Sequence, residues 1–211
     1  KPLPQQYVSY VTGLVKGDLG TSLRTKRPVL TEVQGRYMNT VQLTLLSLTW
    51  SVIAGVLIGV WSGRNRSKWQ DYTGMTVAVS GISMPSFWIG FMLIMVFAVK
   101  YRLLPTTGAG SFKNLILPSI TLGVSIAAII ARFTRSSVIE VLKEDYVRTA
   151  RAKGLREKTV IWKHVFRNCM ISVVTVVGLQ FGFLLGGSVV TETVFAFPGL
   201  GSLLIESVNY R

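Results

Sequence analysis

The chain's 211 residues offer few side chains for covalent or metal chemistry: one histidine, His164, and one cysteine, Cys169. His164 has no metal-ligating companion and no nucleophile at a recognisable spacing. A single cysteine makes neither an internal disulfide nor a cysteine metal site. Glu144 and Asp145 are adjacent, so on a helix they splay apart and serve as N-terminal helix charges rather than as an acid/base pair. The stretch "GLREKT" at 154–159 has the form of the end of a phosphate-binding loop, but the glycine before the lysine is missing and no strand precedes it. "LPTTG" at 104–108 has the form of a cell-wall sorting signal, which must end a chain, whereas here a further span follows. No catalytic, cofactor-binding or metal site is expected, and no enzyme activity in the chain itself.

What the chain has instead is grease arranged in blocks. Hydrophobic residues make up 49% and charged residues 15%, and the uncharged runs are 37–63, 72–99, 114–131 and 168–191. Each approaches or exceeds the roughly 18 to 20 residues that cross a bilayer as a helix. "LLSLTWSVIAGVLIGVW" and "WIGFMLIMVFAV" are apolar all round, unlike surface helices of a soluble domain; buried helices of a large soluble protein are the alternative. The expected fold is all-α, a polytopic membrane protein with four full spans. None of the four runs contains Asp, Glu, Lys, Arg or His, which keeps insertion inexpensive and argues against an ion-driven carrier.

A net charge of +14 could suggest nucleic acid, but the cations lie in short connections between spans, where headgroups and topology account for them. The density of Lys and Arg beside the span ends puts 63–71 and 132–167 in the cytoplasm. An extracytoplasmic segment then covers 1–36, the membrane domain 37–191, and an extracytoplasmic loop 192–211. Because the chain opens with Lys1 and both ends fall outside, a further helix is expected before this segment and another after it. Gly55 and Gly59 in the first span, and Gly178, Gly182 and Gly186 in the fourth, stand at the four-residue spacing that lets helices approach closely; glycines scattered without a packing role are the alternative. Pro85 and Pro118 each interrupt an apolar run and predict a kink or an unwound turn.

Between the third and fourth runs lies a cationic, helix-prone segment broken at Gly154. Ala150 and Gly154 sit four apart, leaving a nearly bare face ringed by Arg148, Arg151, Lys153 and Arg156. Gly154 suits a helix C-cap, turning the chain into a second short helix from Glu157. Such a segment either lies on anionic lipid or docks into a protein groove; the lack of a broad apolar face favours docking.

The segment "EDYVRTARAKG", with "RN" following, resembles the cytoplasmic coupling loop of ATP-binding-cassette importer permeases in its dipeptide, oligopeptide, glutathione and nickel branch. Arg148, Thr149 and Ala150 stand where the general pattern has Glu-Ala-Ala, and Gly154 at its glycine; the later Ile-x-Leu-Pro portion is not matched. "GDLGTS", "ILPSITLG", "ARFTRSS" and "FPGLGSLL" agree, so the resemblance spans the chain, and "AVSGIS" and "GLQFGFLLGGSVV" are most similar to glutathione permeases. The resemblance implies a type I importer transmembrane domain in a prokaryotic inner membrane. It implies as partners a second permease, two ATPases carrying ATP and Mg, and an extracytoplasmic solute-binding protein, with membrane lipid around the spans and no nucleic acid. It implies that Tyr146, Arg148, Thr149, Ala150, Arg151, Ala152, Lys153, Gly154 and Leu155 contact an ATPase. Gln180, Ser188 and Thr191 are candidates for the substrate path, as polar groups in an otherwise apolar helix, and Glu192 with the "FPGLG" turn is expected outside, facing the binding protein. A nickel-chelate permease of the same branch, an ion-driven carrier, and a scaffold that only docks a cytoplasmic partner are the other readings.

Overall fold

The computed structural model describes residues 2–185 and 188–209, and in these every regular element is helical. An N-terminal helix, α1 (Leu3–Val15), leads through an isolated bridge between Thr21 and Pro28 into α2 (Val29–Arg64), the longest helix. At about 1.5 Å per residue its 36 residues run about 54 Å, longer than the hydrocarbon core, so its first turns stand clear of the apolar run. Asn65 ends it, and a tight turn with Ser67 at φ 61 reverses the chain.

The second apolar run is broken into two helices. Helix α3 (Trp69–Ser83) stops at Met84 and Pro85, and α4 (Ser86–Leu93) leaves at 98° before continuing as π-helical turns over Ile94–Lys100. Pro85 acts as the sequence suggests: it has no N–H to continue α3, and it pushes Met84 into an extended conformation. Pro118 does not break its helix: it lies inside α5 (Phe112–Val141), past the first turn, and the helix continues through it although its ring removes one intrahelical N–H bond. Helix α5 also runs ten residues past the third apolar run, carrying Arg132 and Arg135 on regular helix.

The coupling segment is α6 (Asp145–Ala152), then α7 (Glu157–Thr159) continuing through π-helical turns over Val160–Val165 into α8 (Phe166–Leu185). The fourth apolar run is not one helix to Thr191: α8 is described to Leu185, and Ser188 caps a separate short helix, α9 (Val189–Val194), followed by α10 (Leu200–Asn209). Gly186 lies outside the described residues. Among the described residues, three helical runs are long and apolar enough to cross a membrane, and the α3–α4 pair makes a fourth if the bent halves are one span.

The centre of the fold is the pairing of α2 with α5. Added Cβ atoms at Gly55 and Gly59 would lie 2.7 Å from the Ala127 carbonyl and 2.6 Å from the Ala131 carbonyl, so no side chain larger than hydrogen fits at this helix separation. Gly63 continues the same contact against Val138. The expected packing role of Gly178 and Gly182 is not met within the chain: nothing lies within 4 Å of either, and both sit on an exposed face of α8 with Val174, Leu179 and Phe183.

Candidate coupling loop and membrane path

Helix α6 is amphipathic in a way the bare-face reading did not foresee. Val147 and Ala150 are buried at 0% and 5% exposure, inside one apolar cluster with Val138 of α5, Val160 and Val165 beyond α7, and Cys169 and Val173 of α8. Ala150 therefore does not offer a seat to a partner; it seats α6 on its own membrane domain. The outward face carries Tyr146, Arg148, Thr149, Ala152 and Lys153, so the small residue exposed there is Ala152. Asp145 accepts only a long contact of 3.4 Å from Arg148. Burial is the main cause that raises the Tyr146 hydroxyl above its ordinary titration range, with the Glu144 charge adding to it.

Gly154 closes α6 as the sequence suggests. Its φ is +76, the Gly154 N–H donates to the Arg151 carbonyl at 2.9 Å, and the Leu155 N–H donates to the Ala150 carbonyl at 3.3 Å. These two bonds are the Schellman arrangement, which requires a left-handed residue at this place. Arg151, expected to contact an ATPase, is engaged within the chain: its Nε and Nη2 donate to Glu157 at 3.1 and 2.8 Å. The guanidinium thus ties α6 to α7, and Glu157 holds the Arg151 charge still more firmly protonated than usual. Leu155 is half exposed beyond the turn.

Of the path candidates, Gln180 is partly buried on α8, whereas Ser188 and Thr191 sit on α9 and Thr191 is buried. Ser188 donates to a residue that sequence reasoning had placed outside: Glu192, which is 0% exposed. Its carboxylate also accepts from the Thr40 hydroxyl of α2 at 3.1 Å and from the Ser202 N–H of α10 at 3.0 Å. Thr40 in turn accepts the Leu200 N–H at 2.9 Å, and Asn39 donates to the Pro198 carbonyl at 2.9 Å. Glu192 is thus the internal knot of the "FPGLG" turn. Phe195 and Phe197 are buried beneath it on Leu43 and Leu117, and a methyl at Gly199 would collide with the carboxylate.

A second ionic site was also missed. Asp71, 3% exposed at the start of α3, accepts from Arg135 of α5 at 2.6 and 2.7 Å and from the Ser67 N–H at 3.0 Å. The sequence signal was available only in hindsight: each residue stands just outside an uncharged run, where charges are expected to be solvated.

Comparison with known proteins adds to this geometry. Residues 55–211 match the family described as binding-protein-dependent transport system inner membrane component. This chain belongs to that family. Over all 211 residues it is 54% identical to the glutathione transport system permease protein GsiC of Pectobacterium atrosepticum and 53% identical to that of Escherichia coli, in each case covering 69% of the relative. A solved amino acid ABC transporter, crystallised with histidines, shares the fold at a TM-score of 0.63 and 18% identity, over 85% of this chain and 79% of that one. The chain is therefore a permease component of a bacterial ABC transport system, with the type I importer fold and an inner-membrane location.

Proposed function

We propose that the protein forms half of the membrane path of an ABC importer for short peptides, with glutathione as its first candidate substrate, and that 146–155 carries the stroke of the partner ATPases into the spans. The observation that carries the substrate reading is the 54% identity to a glutathione permease along the whole chain. The coupling role is supported by α6 showing two faces: Arg148, Thr149, Ala152 and Lys153 outward, Val147 and Ala150 fused into the core of α5 and α8. A body seated on the outer face would then move the spans rather than bend a loop. ATP and Mg belong to the ATPases in this reading. A second permease completes the path, a solute-binding protein delivers the peptide from outside, and Gln180 is the path candidate on α8.

The test is reconstitution of the full complex in proteoliposomes, with glutathione uptake and ATP hydrolysis measured together. Arg148→Glu and Lys153→Glu should release the ATPases or abolish peptide-stimulated hydrolysis while the permease itself folds. Unchanged stimulation in both variants would remove 146–155 from the coupling path. Uptake of nickel chelates in place of peptides would move the substrate to the other branch of the family.

A further inference from the structure

A groove of about 480 Å³ runs along α3, and neither the coupling loop nor the path candidates above touch it. Four hydroxyl residues, Tyr72, Thr76, Ser80 and Ser83, line it at helical spacing. The Asp71–Arg135 pair forms one end and the Ser83–Met84 break the other. From Asp71 to Ser83 the helix rises about 18 Å, more than half the thickness of a hydrocarbon core of about 30 Å. The break therefore falls well inside the membrane. No backbone bond from Met84 caps the last turn of α3; the Gly81 carbonyl accepts from the Ser125 hydroxyl of α5 at 3.3 Å, and any carbonyl left over at such depth is tolerated only where protein or water meets it. The Asp71–Arg135 ion pair at one end and the uncapped carbonyl end of α3 at the other favour a wet passage over a lipid-facing wall.

We propose that this groove is a station on the membrane path, holding a short zwitterionic peptide in transit; the assignment rests on the peptide-import reading. The carbonyl end of α3 bears partial negative charge and suits an ammonium group. Arg135 spends Nε and Nη2 on Asp71, so its Nη1 remains for a carboxylate, and the Ser80 and Ser83 hydroxyls, which donate to the Thr76 and Val79 carbonyls, keep their oxygens as acceptors for peptide N–H groups between them. Side chains of varied size are accommodated by Met75 and Met84, which also line the groove and adapt their shape easily. A tripeptide extends only about 10 Å, too short to reach both ends together. The groove therefore binds weakly and in steps, as a passage must if cargo is to leave it.

The test uses the complete transporter in nanodiscs, with labelling read on the separated permease chain, whose single native cysteine, Cys169, is buried and adds little background. In Ser80→Cys, a charged methanethiosulfonate reagent should modify the new thiol roughly tenfold faster than in Ile53→Cys, whose position is exposed on an apolar side of α2. S-methylglutathione, which lacks a thiol of its own, should slow that reaction. Ser80→Trp should fill the groove and lower uptake about tenfold, the equivalent of a modest overpacking cost, with the subunits still copurifying. Modification of Ser80→Cys by lipid-soluble maleimide alone would make the face lipid-exposed and overturn the proposal. Full uptake by Ser80→Trp would overturn it as well. If the native complex moves another short peptide but not glutathione, the substrate reading fails, whereas the groove still stands or falls by its labelling.

Discussion

Glu192 shows how much a single carboxylate organises. It binds three donors from α2, α9 and α10 and, among the described residues, no cation, so removing it strands the Thr40 hydroxyl and the Ser202 N–H in a buried place, each at a cost of about 1 to 3 kcal/mol. Glu192→Ala should lower the thermal unfolding midpoint of the purified complex in detergent by several degrees, and Glu192→Gln, which keeps an acceptor, by clearly less; equal midpoints would show that the knot contributes nothing. Nearby, Glu206 on α10 accepts from Arg36 at 3.0 Å twice and from Arg24 at 2.6 Å. The hydrogen bonds from Arg36 are the main cause holding its carboxyl below the ordinary value of 4.5, against burial and with Arg24 adding. A lowered folded value means that the stabilisation is complete above 4.5 and is lost as pH falls through the lowered value. Hydrogen exchange across 200–209 should accelerate in acid for the native chain beyond the change seen in Glu206→Gln, and a parallel profile in the two would exclude the ion pairs as the cause.

At the scale of elements, the α2–α5 seam is a packing constraint with little slack. Gly55→Val or Gly59→Val must push two carbonyl-bearing backbones apart, and in a membrane close van der Waals contact is the main source of helix association. Either variant should cost about 1 to 3 kcal/mol or more, read as reduced folded yield and a lower unfolding midpoint. Gly178→Val meets nothing within this chain and should leave the isolated permease unchanged; a loss seen only in the assembled complex would assign that face of α8 to a partner. The four-residue spacing of glycines was legible in both helices, but spacing alone is silent about what stands opposite. Likewise Pro85 and Pro118 look alike in the sequence and act differently: α3 stops before Pro85, whereas α5 continues through Pro118.

For the molecule as a whole, the apolar cluster is continuous from α6 into α2, α5 and α8. Val147→Ala removes two methyl groups from a site with no exposure, a loss of about 1 to 2 kcal/mol at the joint between α6 and α5. In the proposed importer this variant should retain its ATPases and hydrolyse ATP yet move less peptide per ATP, measured in proteoliposomes; an unchanged ratio would mean that the stroke travels by another route. The fold class was legible from the sequence alone, since the length and uncharged character of four runs leave few alternatives to a helical membrane domain. The left-handed turn at Gly154 was also legible, because it depends on local backbone geometry that only glycine adopts cheaply. Tertiary structure decided which charges are buried. Asp71, Arg135 and Glu192 all flank apolar runs, and whether a flanking charge meets water or a partner depends on helices distant in sequence. The direction of Ala150 and the engagement of Arg151 were decided in the same way: helical periodicity marks faces, but only the packing of α6 on α5 and α8 determines which face is covered.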